Sequence, residues 1–398
     1  MSYDLSNPHP TPQMNAHRHQ FPALTNKAYF NYGGQGPMPQ AALDAIFGAY
    51  QQIQSQGPFG LKTSELVARE SNLTRQAIAT ELGVTAQTIA LTENVTAGCN
   101  IALWGLNWQP GDRILLSDCE HPGVIASIKE ICRRFQVSID LFPLQATLNT
   151  GDPVAVITAH LQPQTRLVVL SHVLWNTGQV LPLAEIAAGI HQYSDVEQPI
   201  RILVDAAQSV GLLPLKLAEL GIDFYAFTGH KWWCGPEGVG GLYIHPDALA
   251  SLDPTFIGWR SLDYSQSDLP LVNDARRYEV ATSAYPLYAG LRSAIATHTA
   301  WGSPIDRATK IVSLATYLWE SLQQVPGIKC LNNTAPRSGL VSFQVEAGNH
   351  AKLVQSLESQ HFYLRTIVDP DCIRACTHYF TTTEEIDELM QCLTKLTN

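Results

Sequence analysis

A single lysine lies among bulky, mostly apolar neighbours in the segment TGHKWWCGPEGVGGLYIH, which runs from Thr228 to His245. Burial disfavours the charged form of an amine and lowers its pKa, so Lys231 is a candidate nucleophile for Schiff-base chemistry. A lysine at a strand end whose amine reaches past apolar neighbours to solvent would give the same pattern. The segment alone leaves both interpretations open, and other polar residues must decide between them.

Two polar segments follow other predicted strands. Asp205 ends the apolar run ILVD, and Gln208 follows one turn later. An aspartate at this position is more often an N-cap for the next helix. Thr96 and Ala97 lie in TENVTAGCNI, where a strand turns into a helix. Free backbone N–H groups at such a turn bind phosphate, although an unoccupied helix N-terminus is the simpler interpretation.

Two further side chains could act beside them. His121 follows a strand in SDCEHPG, and Asn176 lies in a turn within SHVLWNTGQVLP. Each has an ordinary alternative as a capping or turn residue. Taken together, however, the segments supply an amine, an aspartate for a pyridinium nitrogen, a helix N-terminus for a phosphate and a flat ring for stacking. Pyridoxal phosphate requires this combination, so we expect it as the cofactor.

The elements that position these residues follow from the alternation of the sequence. Between about 85 and 245, short apolar strands alternate with helical segments, which predicts a mostly parallel sheet covered on both faces. Ligands of such sheets bind outside the carboxyl ends of the strands. After about 290, longer helices and another strand predict a smaller α+β domain. We therefore expect an N-terminal arm (1–28) that joins the small domain, a large cofactor-binding domain (29–290) and a small C-terminal domain (291–398).

Composition excludes several classes of partner. The chain has 398 residues, a net charge of −10 and 45% apolar residues. An acidic chain is a poor ligand for nucleic acid or an anionic membrane. No apolar run approaches the roughly 20 residues of a membrane span, and the N-terminus resembles neither a secretion signal nor a transit peptide. Eight cysteines occur without a CxxC pair, so we expect no metal site, no disulfides and a cytoplasmic location.

The lysine segment also resembles a known family. The block DAAQS…FTGHKWWCGPEGVGGLY is similar to the pyridoxal-phosphate signature of class V aminotransferases, in their cysteine desulfurase-like branch. Shorter similar blocks occur in the family's order: YFNYGGQGPMP, TENVTAGCNI, EHPGVI, WNTGQVLPL, RRYEVATSAYPLYAGLRSAI and IRACTHYFTTTEEID. The resemblance implies a fold type I transferase with a mostly parallel seven-stranded sheet in its large domain. It also implies homodimers with shared active sites.

The resemblance assigns a role to each matching cofactor residue. Lys231 would bind the cofactor covalently and move protons. Asp205 would pair with the protonated ring nitrogen, and His121 would stack on the ring. The groups near the phenolic oxygen and the phosphate would be Asn176, Gln208, Thr96, Ala97, Thr228, His230 and, across the dimer interface, Thr282, which follows Ala281 where the family usually has glycine.

The substrate side is assigned in the same way. Arg374 would bind the substrate α-carboxylate through a bidentate pair. Arg365 would be a second carboxylate clamp or simply a surface arginine. The loop that contains Gly33 and Gly34 would let backbone approach the substrate, unless it is a plain turn.

The reaction depends on Cys372. Desulfurases of the family take sulfur onto a cysteine in a mobile loop, whereas here the segment LRTIVDPDCIRACTHY is short, acidic and stiffened by proline. Neighbouring carboxylates raise a thiol's pKa, so we expect Cys372 to pack rather than react. This pattern resembles the cysteine/cystine C–S lyases of the family. We expect β-elimination from cystine or cysteine to give pyruvate, ammonia and a persulfide or sulfide, with iron–sulfur cluster assembly a plausible destination for the sulfur.

Three alternatives remain. The nearest is a cysteine desulfurase or selenocysteine lyase that uses Cys372. A second is an epimerase or transaminase of the same superfamily. The third is a catalytically silent scaffold that kept the fold, which predicts that Lys231 carries no covalent cofactor.

Overall fold

The computed structural model describes residues 17–195, 198–346 and 348–397, so most of the predicted N-terminal arm lies outside the described residues. The strands are β1 (Ala28–Tyr29), β2 (Ile89–Thr92), β3 (Arg113–Ser117), β4 (Ser138–Phe142), β5 (Thr165–Ser171), β6 (Arg201–Asp205), β7 (Phe224–Thr228), β8 (Gly240–Ile244), β9 (Ile328–Cys330), β10 (Leu340–Val345), β11 (Phe362–Tyr363), β12 (Arg365–Val368) and β13 (Asp371–Cys376). The α-helices are α1 (Gln40–Gln56), α2 (Leu61–Leu82), α3 (Val95–Gly105), α4 (Pro122–Phe135), α5 (Pro153–Ala159), α6 (Leu183–Tyr193), α7 (Tyr285–Trp301), α8 (Pro304–Leu322), α9 (His350–Glu358) and α10 (Thr383–Thr397).

The largest sheet has seven strands in the order β2-β8-β7-β6-β5-β3-β4. Five of them, β3 to β7, are mutually parallel, while β8 runs antiparallel to both β2 and β7. The predicted mostly parallel sheet is therefore confirmed. The antiparallel β8 is formed by the GGLYI run near the end of the lysine segment.

Both faces of this sheet are buried because its strands are apolar at consecutive positions. Val168 belongs to the core on one face and Val169 to the core on the other. Successive side chains of a strand point to opposite faces, so a continuous apolar strand requires cover on each side. Helices α2 and α6 supply that cover on the first face, and α3 and α4 supply it on the second.

A second, antiparallel sheet has the order β12-β13-β10-β9. Its core includes apolar residues from α8, α9 and α10, as expected for the smaller α+β domain. The described end of the N-terminal arm packs here, since Arg18 forms an ion pair of 2.5 Å with Glu385. The predicted boundary at 290/291 falls inside α7, and the domain limits remain a prediction. No helix among the described residues is long and apolar enough to cross a bilayer.

We predict that Gly178→Ala destabilises the protein through its turn beside β10. Gly178 has a φ of +77°, and a Cβ there would lie 2.7 Å from the Leu340 carbonyl oxygen. Left-handed strain and overpacking together should lower the free energy of unfolding by more than about 2 kcal/mol, measured by urea denaturation.

The matched control is Gly57→Ala, where φ is +91° but nothing lies within 4 Å of the added Cβ. It should cost only the backbone strain, about 1 kcal/mol. Equal losses in the two variants would contradict the packing argument.

Candidate active site

Parallel strands bring the predicted residues to one edge of the large sheet. Asp205 ends β6, Thr228 ends β7, and Lys231 follows three residues later. Neighbouring parallel strands β6 and β7 end on the same side, which is where ligands of open α/β sheets bind. His121 follows β3 at this edge and is influenced electrostatically by both Asp205 and Lys231.

Lys231 has the environment of a nucleophilic amine. Burial lowers its pKa to about 8, and the Asp205 carboxylate opposes part of this shift. The two tryptophans that follow are buried and fix the segment, with Trp232 Nε1 donating to Gln208 Oε1 at 3.0 Å. A Cβ at Gly36 would collide with the Lys231 carbonyl oxygen. The glycine loop at 33–36 therefore packs directly against the backbone that carries the amine.

Asp205 is a buried carboxylate with few protein partners. Its Oδ1 accepts a hydrogen bond of 2.9 Å from the Ala207 N–H. Burial raises its pKa, while the Ala207 N–H and the charges of Lys231 and His121 lower it. A buried carboxylate in this position is stabilised by a cationic ligand group, and a protonated ring nitrogen is one.

His121 and Asn176 flank this position. His121 caps α4 by accepting from the Gly123 N–H at 3.1 Å, and its ring meets Trp175 edge to face at 5.6 Å. Burial lowers the pKa of His121, which favours the neutral ring that stacking uses. Asn176 donates to the Asp369 carbonyl oxygen at 3.1 Å, whereas its buried Oδ1 has no partner among the described residues. Such an orphaned atom points to a ligand group.

The predicted phosphate residues come from two segments that pack together. Thr96 and Ala97 lie in the first turn of α3, which contacts β7 so closely that a Cβ at Gly98 would lie 2.9 Å from the Ala226 Cβ. The Ala97 N–H already donates to the Asn94 side chain at 3.0 Å. Its predicted phosphate contact therefore competes with the helix cap.

The remaining predicted cofactor residues separate into two places. Thr228 Oγ1 and His230 Nδ1 lie 2.6 Å apart at the end of β7. Gln208 donates to the Gly33 carbonyl oxygen at 2.8 Å, so it ties the glycine loop to this edge. Thr282 is not part of this cluster. It lines a surface depression with Phe59 and Trp259, among other residues.

The two predicted arginines are directly paired in the small sheet, where Arg365 on β12 faces Arg374 on β13. Arg374 is fully buried and donates to the Trp175 carbonyl oxygen at 2.6 Å. Its Nε has no partner, and no carboxylate pairs with it among the described residues. Arg365 is exposed. A buried, unpaired guanidinium requires an anion, and a substrate carboxylate matches its geometry.

Glycines at 33 and 34 leave space for the side chains of Arg374 and Asn31. A Cβ at Gly33 would lie 2.9 Å from an Arg374 amino nitrogen, and a Cβ at Gly34 would lie 2.7 Å from Asn31 Oδ1. At these distances a larger residue would force the side chains of Arg374 and Asn31 to move. The small residues of this loop leave room for Arg374. That the loop lets backbone approach the substrate stays a prediction.

Several site residues were missed by sequence reasoning. Trp175, Asn31 and Glu120 each contact a predicted residue or lie beside one. Trp175 directly precedes Asn176 and Glu120 precedes His121, so proximity in sequence was the available signal. Asn31, which lies 3.5 Å from Arg374, is two residues before the predicted Gly33 and within the block YFNYGGQGPMP, so proximity in sequence was its signal as well.

The cluster fits pyridoxal phosphate on chemical grounds. One sheet edge holds an amine, a buried carboxylate, an aromatic ring and a helix N-terminus. The buried Arg374, whose Nε has no partner among the described residues, lies near them. Lys231, Asp205, His121 and the α3 turn would hold the cofactor, and Arg374 would hold an amino-acid substrate.

Comparison with known proteins agrees with this geometry. A family model described as aminotransferase class V matches residues 28–389, so the chain belongs to that family. This confirms the family indicated by the lysine block.

Two solved structures of the protein C-DES are each 51% identical to the chain. One is a complex of the cystine C–S lyase C-DES with its reaction product cysteine persulfide; it has a TM-score of 0.91 and covers 94% of this chain and 99% of its own. The other, a lysine-to-alanine mutant with glycine covalently linked to the PLP cofactor, has a TM-score of 0.92 and covers 95% and 98%. These likenesses confirm the predicted fold class.

More distant relatives carry different names. Isopenicillin N epimerase of Streptomyces clavuligerus is 28% identical over 92% of this chain and 94% of its own length. A cysteine desulfurase of Klebsiella pneumoniae strain 342 is also 28% identical, over 95% of this chain and 97% of its own. Both relatives match nearly the full chain.

We predict that the cofactor-free protein reacts with amine-labelling reagents at Lys231 far more readily than at ordinary lysines. The fraction of Lys231 in the neutral amine form should rise with pH, with a midpoint near 8, because burial lowers the pKa of this lysine to about 8. An ordinary lysine has a pKa of about 10.4. Labelling as a function of pH, read by peptide mass spectrometry, measures this midpoint.

The control variant is Asp205→Asn. It removes the charge that raises the pKa of Lys231, so the labelling midpoint should move to lower pH. A midpoint near that of ordinary lysines in the wild-type protein would contradict the site description.

Proposed function

We propose that this protein is a pyridoxal-phosphate-dependent C–S lyase that eliminates a β-sulfur group from cystine or cysteine. The observation that carries the proposal is its 51% identity, over nearly the whole chain, to a protein described as a cystine C–S lyase. The products expected from cystine are pyruvate, ammonia and cysteine persulfide.

Bound pyridoxal phosphate supplies an electron sink that stabilises negative charge at the substrate Cα. Lys231 would hold the cofactor, and its Nζ would accept the Cα proton of the substrate. The lowered pKa of Lys231 leaves a useful fraction of neutral amine near neutral pH. Asp205 would hold a proton on the ring nitrogen of the cofactor, and His121 would pack against its ring.

Substrate orientation depends on the small sheet and the glycine loop. Arg374 binds the α-carboxylate, and its bond to the Trp175 carbonyl oxygen fixes the guanidinium in place. Arg365, its partner across the β12–β13 pair, places a second positive charge beside it. We propose that Arg365 is the second carboxylate clamp, which a substrate with two amino-acid ends would use.

The leaving group favours cystine over cysteine. A persulfide is less basic than an alkyl thiolate, and a less basic group departs more readily. The three-carbon remainder then hydrolyses to pyruvate and ammonia. The persulfide is a reactive sulfur donor, and we propose iron–sulfur cluster assembly as one use of it.

Cys372 is the residue that separates this proposal from a desulfurase. It is fully buried on β13, where it pairs with Ile367 of β12. Burial raises the pKa of its thiol to about 12, and a thiol rather than a thiolate is a poor sulfur acceptor. The cysteine desulfurase alternative requires β13 to open.

We further propose a cytoplasmic homodimer. All eight cysteines are free thiols, as a reducing compartment favours. Phe59 is fully exposed and lines the surface depression that contains Thr282, together with the half-exposed Trp259. Large apolar groups on such a surface are typical of an interface. A second copy seated there would let Thr282 approach the partner's phosphate site.

We predict that the purified protein releases pyruvate from cystine and forms persulfide. Lys231→Ala should abolish this activity, because it removes the amine that holds the cofactor and moves the Cα proton. Cys372→Ala should keep most of the rate, because the thiol only packs. A coupled lactate dehydrogenase assay for pyruvate and cyanolysis for persulfide measure both products.

Two results would contradict the proposal in different ways. Loss of sulfur release in Cys372→Ala would favour the desulfurase. Inversion of an amino acid's Cα configuration without pyruvate release would favour the epimerase alternative, since one relative is an epimerase from Streptomyces clavuligerus.

We predict that the wild-type protein sediments at twice its chain mass of 43.7 kDa. Phe59→Asp should shift it towards the monomer, since a charge in an apolar interface lacks a partner. Leu141→Asp is the matched control, because Leu141 is 62% exposed on the edge strand β4. Sedimentation velocity measures both variants, and equal dissociation would refute the assigned surface.

A further inference from the structure

A second buried carboxyl group lies behind Asp205 and has no part in the chemistry described so far. Glu120, in the loop between β3 and α4, is only 3% exposed. Its Oε1 accepts from Ser117 Oγ at 2.5 Å and from the Ser171 N–H at 2.9 Å, and its Oε2 accepts from Ser171 Oγ at 2.7 Å. Both oxygens are therefore held by neutral donors. No ion pair is formed by Glu120 within the described ranges.

Ser171 connects this carboxyl to the cofactor site. It is the last residue of β5, and it lies opposite Asp205 in the parallel pair of β5 and β6. The two carboxyl groups are close enough for the charge of Asp205 to raise the pKa of Glu120. They form a buried pair of like charge, with a serine between them.

Like charges in a buried pair do not both ionise without a compensating cation. Burial raises the pKa of Glu120 to about 7, and the serine hydrogen bonds lower it. Glu120 thus changes charge near neutral pH in the protein alone. The ionisable groups that interact electrostatically with one or both carboxyls of the pair are Lys231, His121, Cys99, Cys119 and Tyr225.

The charge of the pair is set by few of these groups. Burial raises the pKa of Cys99, Cys119 and Tyr225, so they stay neutral near pH 7. Lys231 and His121 act on Asp205 from the substrate-facing part of the site. In the protein alone, Lys231 is therefore the main cation beside Asp205. When the Lys231 amine is bound to the cofactor, a protonated group of the ligand against Asp205 would supply that positive charge.

We propose that Glu120 is a positioning residue that acts through Asp205 to keep the cofactor ring nitrogen protonated. Its negative charge adds to that of Asp205 and increases the proton affinity of the group bound there. The inference rests on the proposed function, because it needs pyridoxal phosphate in the site. It adds a residue that touches neither cofactor nor substrate to those that control the reaction.

The test is a pH titration of the cofactor ring nitrogen, labelled with nitrogen-15 and followed by NMR, in the wild-type and Glu120→Gln holoenzymes. Glutamine keeps the size of the side chain and one acceptor oxygen, but it replaces the other oxygen with an NH2 donor, to which the Ser171 hydroxyl can turn as acceptor, and it removes the charge. The titration midpoint of the ring nitrogen should be lower by about one pH unit in Glu120→Gln, since a nearby charge shifts a pKa by one or more units. Glu120→Asp, which restores the charge, should move it back towards the wild-type value.

The matched control is Glu385→Gln. Glu385 is also a largely buried carboxyl whose pKa burial raises, but it pairs with Arg18 against the N-terminal arm. Glu385→Gln should leave the titration midpoint of the ring nitrogen unchanged. An equal shift in this control, or no shift in Glu120→Gln, would overturn the inference.

A cofactor-free measurement supports the same test. Difference infrared spectra across neutral pH should show a carboxyl protonation in the wild-type apoprotein that is missing from Glu120→Gln. Should Glu120→Gln fail to fold, Ser171→Ala removes one hydrogen bond from the carboxylate and should shift the holoenzyme midpoint in the same direction by less. No shift in that variant would also overturn the inference.

Failure of this inference is distinguishable from failure of the proposed function. A wild-type protein that binds no pyridoxal phosphate, or releases no pyruvate from cystine, would refute the function itself. A normal wild-type enzyme with an unshifted Glu120→Gln titration would refute only the role of Glu120.

Discussion

The partly buried amine of Lys231 and the buried carboxylate of Asp205 lie at the same edge of one sheet, and the rest of the site depends on the attraction between their charges. Burial lowers the pKa of Lys231 and raises that of Asp205, while each charge opposes the other's shift. The strands supply the rigidity, since Asp205 ends β6 and Lys231 follows β7 closely. The amine is thereby close to its reactive neutral form without a dedicated base.

The site also contains buried polar atoms without hydrogen-bond partners, which a ligand can supply. Arg374 Nε and Asn176 Oδ1 are both buried without partners among the described residues. A buried polar atom without a hydrogen bond costs about 1–3 kcal/mol, and an uncompensated charge costs more. Binding of a carboxylate and a cofactor would remove these costs, so cofactor and substrate should both stabilise the fold. Glu120 is a further buried carboxyl group, which would act on the ligand through Asp205 rather than by direct contact.

Much of this architecture follows from sequence because its signals are local. Continuous apolar strands between helices predicted the mostly parallel sheet, and the lysine block indicated the family and the sheet edge where the chemistry lies. The missing parts depend on contacts distant in sequence. Arg374 is held by Trp175 almost two hundred positions earlier, and Asn31 approaches it from the opposite end of the chain. The depth of Glu120 likewise depends on Ser171 in another strand, which no periodicity reveals.

The central claim is that the amine at position 231 carries the cofactor. Its most direct test is borohydride reduction of the pyridoxal-phosphate-loaded protein, followed by proteolysis and peptide mass spectrometry. The account predicts that the peptide spanning Lys231 gains the mass of one reduced cofactor and that other lysine peptides remain unmodified. A cofactor fixed at a different lysine, or a loaded protein in which reduction fixes none, would contradict it.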